Sequence, residues 1–391
     1  MKLRWLIAGV VVVGAIGVAV LPALREMTWL PSSPQRRHAP RPYPQPAYSP
    51  PAVAFQGDSG KLRASVVVPT LDAPLPPGKN VIWCATFQLA WDRLKHDVAK
   101  EPVRIANAEA VAGRLNGAPF PERDLPEDSY YAAAGRVADG IVPKIRRQMQ
   151  ERFRKEPRGL DERGAAIVAF AYLAAQVRFT IPYFEEDALA FVDSRGQSTN
   201  VSSFGVAHEH QVPDLDVRRQ IDVLYAHVKP DALEADEFAL DLSRDSKPNQ
   251  MVIACVSPKA RLRDTLEYVE RNINDPSAKR VPGEDCGVVC IPNLNWSITH
   301  HFTELEGLEK RFLNRGLEGL YSQAAVQIID FRLDRSGVVL ESHTDLVPAS
   351  QISADIYVNR PFLLYVKKRG APCPFFVMWV DNAELLSKPG R

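Results

Sequence analysis

Near the C-terminal end three strand-like runs stand in order, and the gap between the first two limits what this chain can become. "AVQIIDFRL" ends at Leu333, "RPFLLYVKK" begins at Arg360, and "PFFVMWVD" follows. The connection contains "LDRSGVVLESHTD", which itself reads like a strand. A connection of more than about 12–15 residues inside a compact domain is usually functional or disordered. A suitable fold must accommodate two good strands joined by a long segment that also has strand character.

At 391 residues the chain has room for one large domain or two average ones, with a sizeable core. Its 48 basic and 47 acidic residues almost cancel, which gives no indication of a nucleic-acid or acidic partner. The cysteines, Cys84, Cys255, Cys286, Cys290 and Cys373, are too few and too odd in number for a disulfide framework. Cys286 and Cys290 flank "GVV" and could pair, although small apolar residues beside a strand are the plainer reading.

The N-terminus is more decisive. Lys2 and Arg4 precede an uncharged stretch over residues 5–24, and Arg25 follows it. About 20 apolar residues match one membrane-crossing helix. A cleaved signal peptide would have an apolar region of about 7–15 residues and a small-residue cleavage site. No such site follows, so the sequence favours an uncleaved signal anchor. Arg25, Arg36, Arg37 and Arg41 lie close behind it, so the positive-inside rule points both ways. A short basic N-terminus before the first apolar helix is the usual export geometry, and the globular part is expected outside the cytoplasm. "PSSPQRRHAPRPYPQPAYSPP" then reads as a semi-rigid extended spacer. The expected organisation is a basic N-terminus (1–4), a transmembrane signal anchor (5–24), a Pro-rich linker (25–56) and one globular domain (57–391).

Within that domain helices and strands mix without regular β-α-β alternation. "NVIWCATFQLAWDRLKHDVA" starts as a strand and continues as an amphipathic helix, with Phe87, Trp91, Leu94 and Val98 at helical spacing. "GIVPKIRRQMQERF" and "ARLRDTLEYVERNI" read as helices, and "LEKRFLNRGL" as a short one. "AAIVAFAYLAAQVRFTI" is ambiguous between buried strand and helix. "NQMVIACVS", "EDCGVVCIPNLNWSI" and the closing runs read as strands. The class expected is α+β.

Catalytic motifs are missing: there is no GxSxG elbow, no P-loop and no HExxH. His300 and His301 follow Cys286 and Cys290, but adjacent histidines on an extended chain face opposite ways, whereas zinc ligands must converge. No metal site, cofactor or enzymatic activity is expected. Glu185, Glu186 and Asp187 read as a solvated turn, and His208–Glu209–His210 as surface. Asn200 and Asn295 begin formal glycosylation sequons.

The closing segments resemble the C-terminal region of the serpins, the serine protease inhibitor family. In that family a strand leads through a hinge into an exposed reactive-centre loop. A strand opening on Arg/Lys-Pro-Phe-Leu follows, and then a final strand. Here Asn359, Arg360, Pro361 and Phe362 match the motif. "AIVAFAYLAAQVRFTIPYF" is similar to the family's central strand with its aromatic-x-x-Pro-aromatic ending, and "FVDSRGQSTNVSSF" to the next hairpin. The likeness spans most of residues 79–382. It implies mixed β-sheets with packed helices, an exposed loop and a protein partner or protease, with no nucleic acid. Two departures stand out. Arg335 occupies the place where the family's hinge carries Glu, two residues before Gly337. The stretch between "DSYYAAAGRV" and "AAIVAF" is short, so the helix over the main sheet, with its strand, is expected to be missing.

In an inhibitory serpin the cleaved loop inserts as a new strand of the main sheet and traps the protease. Alternate residues must then fit the core face. Val338, Leu340, Ser342, Thr344 and Leu346 share one face; Val339, Glu341, His343, Asp345 and Val347 share the other. All the charges therefore fall on one side, which keeps insertion possible. Leu340, however, replaces a small hinge residue, and overpacking costs about 1–3 kcal/mol. In a rate-limiting step that slows insertion roughly 5- to 150-fold. By family spacing from Gly337 the scissile region falls at Ser350 and Gln351. The sequence thus favours a membrane-tethered, non-inhibitory binding or structural module. The alternative is a suicide-substrate inhibitor.

Overall fold

The structure is a computed structural model that describes residues 48–390, except 158, 177, 207–213, 229–234, 279, 283–285 and 337–354. The stretch assigned to the membrane anchor therefore lies outside the described residues. Among those described, no helix is long and apolar enough to cross a membrane. The first described residue, Tyr48, lies within the stretch read from the sequence as a linker.

In chain order, β1 (Phe55–Asp58) and β2 (Ser65–Val68) precede the buried strand β3 (Asn80–Cys84). That strand runs directly into α1 (Ala85–Arg93) and a π-helical turn, Leu94–Ala99. Next come α2 (Glu109–Asn116), β4 (Tyr130–Arg136), α3 (Ile141–Phe153) and β5 (Ala166–Gln176). They are followed by β6 (Phe184–Val192), β7 (Ser198–Val206), α4 (Asp214–Arg219), β8 (Asp222–Val228) and β9 (Ala235–Asp241). β10 (Asn249–Cys255), α5 (Leu262–Ile273), β11 (Val281–Pro282), β12 (Val289–Pro292), β13 (Leu294–His301) and β14 (Gly307–Arg311) come next. β15 (Tyr321–Leu333), β16 (Ile356–Tyr357), β17 (Phe362–Lys368) and β18 (Phe376–Val380) complete the chain.

The strands form three sheets. The main one runs β1-β13-β15-β5-β4, with β14 also paired to β15. A second runs β11-β8-β9-β10-β17-β18-β3-β2, and a third β16-β12-β7-β6. Helices and mixed sheets in one body make this an α+β fold, as expected.

The ambiguous run resolves as β5, and burial on both faces explains its missing alternation. Ile167, Ala169, Ala171 and Leu173 face the core shared with α1, whereas Ala166, Val168, Phe170 and Tyr172 face α3. α3 places Ile141, Val142, Ile145 and Met149 over β4, β5 and β15. This corrects one expectation: a helix does cover the main sheet. The shortening instead leaves no strand between β4 and β5 among the described residues.

Other local readings also change. "LEKRFLNRGL" is not a helix. Arg311 pairs with Tyr321 in β14, and Leu313 and Asn314 are bound by hydrogen bonds to residues 102–104. Those tertiary bonds override a modest helical propensity. Glu185, Glu186 and Asp187 lie in β6 rather than in a turn, because the segment pairs with β7. Cys286 and Cys290 are both free thiols.

Candidate functional site

β5 and β15 run parallel at the centre of the main sheet, paired from Ala166 opposite Tyr321 to Gln176 opposite Arg332. The seam between them is tied on one face, and β15 is fixed to the start of α1 on the other. On the face beneath α3, Asp330 of β15 accepts hydrogen bonds from the Tyr172 hydroxyl of β5 at 2.6 Å and the Ser297 hydroxyl of β13 at 2.5 Å. Lys155, just past α3, pairs with the same carboxylate. One side chain thereby joins three adjacent strands to the covering helix. Burial, and then the charge of Asp330, raise the Tyr172 hydroxyl above its ordinary range, so it stays a donor.

On the opposite face, the fully buried Gln327 donates from Nε2 to the Cys84 carbonyl at 3.2 Å and to the Thr86 hydroxyl at 2.9 Å. These groups stand at the start of α1, so Gln327 fixes β15 to the helix behind the sheet. Burial pushes the Cys84 thiol up to about 12, which keeps it protonated and inert.

Beyond Leu333 the chain leaves the sheet. Asp334 is 3% exposed and accepts from the Ser336 N–H at 2.8 Å, from the Tyr48 hydroxyl at 2.7 Å and from the Arg332 guanidinium. The Arg335 carbonyl accepts from the Tyr183 N–H at 3.0 Å, and the Ser336 carbonyl from the Phe179 N–H at 3.2 Å. Those two donors belong to the "FTIPY" end of the central strand, where the Phe179 and Tyr183 rings meet edge to face at 4.7 Å and pack with Phe204. The Tyr48 ring lies 5.2 Å from the Arg332 guanidinium carbon and 5.7 Å from that of Arg335. A cavity of about 170 Å³ opens alongside, walled by residues 48–52 and by Glu185, Ser203, Asn293 and Lys388.

No family model matches this chain, and no curated protein matches its sequence. Solved structures do. Native protease nexin-1 with heparin superposes with a TM-score of 0.50 at 11% identity, covering 78% of this chain and 93% of that one. The chain has the serpin fold. A highly specific serpin of the insect Tenebrio molitor gives a TM-score of 0.45 at 12% identity, covering 78% and 92% of the two chains. Uncleaved ovalbumin gives 0.48 at 11% identity, covering 78% and 93%.

β15 is the strand that precedes the long connection to β17, and residues 334–336 are the described residues that follow it. Of the hinge residues read from the sequence, Arg335 is described and is buried. Gly337, Val338, Leu340, Ser342 and Thr344 lie outside the described residues, as do Ser350 and Gln351 of the scissile region. The "NRPF" segment anchors β17. Asn359 accepts a backbone bond from Val192, Arg360 donates to the Asp236 carbonyl at 2.8 Å, and Phe362 is buried against Phe191. His300 and His301 part as alternation requires. His300 stands 2.7 Å from the Ser59 hydroxyl, and His301 is 3.0 Å from the Glu306 carboxylate.

The sequence reading missed Asp330, Gln327, Asp334 and Tyr48. Asp330 and Gln327 left a signal, since a polar residue in a strand buried on both faces must have a partner. Tyr48, in a Pro-rich stretch, left none.

Proposed function

We propose that this chain is a membrane-tethered serpin-fold protein whose loop is a protein-binding surface rather than a protease trap. The observation that carries the reading is the clip at Asp330. A strand inserting between β5 and β15 must pull Tyr172 away from that carboxylate while Ser297 and Lys155 hold it in place. A hydrogen bond to a charged group is worth about 1.5–3 kcal/mol, which adds to the overpacking at Leu340. Both penalties fall on a step that must outrun deacylation.

The test is incubation of the full chain with serine proteases that cleave within residues 344–356. The expected product is a nicked chain and fully active protease. An adduct that survives denaturing electrophoresis would establish the inhibitor reading instead. One observation favours that second reading: Glu341, His343 and Asp345 would all face solvent from an inserted strand.

Residues 5–24 support the tether, with the domain on the extracytoplasmic side. Alkaline carbonate should leave the protein in the membrane fraction, and protease added outside intact cells should remove the domain. Release by carbonate would refute the tether, and protection from external protease would reverse the orientation.

A further inference from the structure

β1 is an added edge strand on the main sheet. It pairs in parallel with β13, from Phe55 opposite Trp296 to Asp58 opposite Thr299. Ahead of it, the Ala54 N–H donates to the Asn295 carbonyl at 2.8 Å, and the Asn295 side chain donates to the Pro51 carbonyl at 2.8 Å. At its N-terminal end Tyr48 reaches the base of the loop. It donates to Asp334, the carboxylate that also caps the Ser336 N–H, and its ring lies against Arg332 and Arg335. Residues 48–58 are thus a strap along the sheet edge whose first residue touches the loop base.

Tyr48 lies inside the Pro-rich stretch read from the sequence and is the first described residue. Along the strap it is the contact that reaches the loop base, whereas Asn295 and the β1 ladder hold the strap to β13.

We infer that Tyr48 is a latch that holds the loop base, residues 334–336, against the end of the central strand. With Tyr48 seated, Asp334 is held between the tyrosine hydroxyl and the Ser336 amide, and the Arg335 and Ser336 carbonyls stay on Tyr183 and Phe179. With Tyr48 withdrawn, Asp334 keeps, among the described residues, bonds within its own segment, to Arg332 and Ser336. The loop base then loses its tie to the strap. The inference rests on residues 334–336 being the loop base, and it holds whether the loop binds a partner or traps a protease.

The test is amide hydrogen exchange on the full chain in detergent, comparing the native sequence with Tyr48→Phe and Tyr48→Ala. The reporters are the Phe179 and Tyr183 amides, with β10, β17 and β18 as internal controls. Tyr48→Ala should speed exchange at both reporters roughly tenfold or more and leave the controls unchanged. Tyr48→Phe, which keeps the ring and loses the bond to Asp334, should give a smaller increase at the same two amides. Unchanged reporter rates would overturn the latch. A uniform acceleration at reporters and controls would also overturn it, because it would make Tyr48 a general stabiliser. Neither outcome depends on adduct formation with proteases, so failure of the latch is distinguishable from failure of the functional reading.

Discussion

Asp330 shows how one residue sets the behaviour of the seam. Its carboxylate takes donors from β5, β13 and the segment after α3. Tyr172→Phe removes one of these donors and leaves the ring in its contact with Phe153. The unfolding free energy should fall by about 1–3 kcal/mol, read from the denaturant midpoint. No change would mean that the bond is replaced by water at no cost and that the seam is not clipped. The paired histidines make a separate claim. Burial, and then the neighbouring His301, hold His300 down to about 4. Glu306 raises His301. A group depressed in the folded state contributes stability that is lost as pH falls, so the His300 share declines between about 6.5 and 4. His301 has the opposite sign, its share being lost as pH rises through its raised pKa. Unfolding midpoints of the native chain and His300→Gln should therefore converge as pH falls from 7 to 4. Parallel curves across that range would contradict the assignment.

At the scale of elements, close approach explains what alternation could not reveal. Gly205 in β7 lies so near β12 that a Cβ would overlap the Val289 carbonyl oxygen. Gly205→Ala should therefore separate the two strands at a cost of about 3 kcal/mol, measured as a lowered melting temperature. A neutral result would mean that β7 can shift without loss. Gln327→Ala should cost about 2–4 kcal/mol, because it opens a cavity and leaves the Cys84 carbonyl and Thr86 hydroxyl without their donor. α5 was legible in the sequence because its pattern reflects a single buried face, with Leu262, Leu266, Val269 and Ile273 at helical spacing. β5 was not, because both of its faces are covered and the period of two disappears. β14 was misread because hydrogen bonds from residues far away in sequence define it. The strap at β1 was illegible for the same reason: its partners on β13 and beyond β15 are 241 and 286 residues away.

For the molecule as a whole, the closing strands announced the architecture through the long gap they leave, and the rest of the fold is consistent with that reading. The alternation of residues 338–347 was legible in the sequence, but the contacts that meet at Asp330 are spread over β5, β13, β15 and the segment after α3. No local pattern records such a network, and only the assembled sheet brings its members together. The central claim is that the seam stays shut after the loop is cut. The direct measurement is thermal melting of the full chain in detergent before and after nicking residues 344–356. This account predicts an unchanged or slightly lower melting temperature. A rise of tens of degrees would show that the cut loop inserts between β5 and β15, and would contradict it.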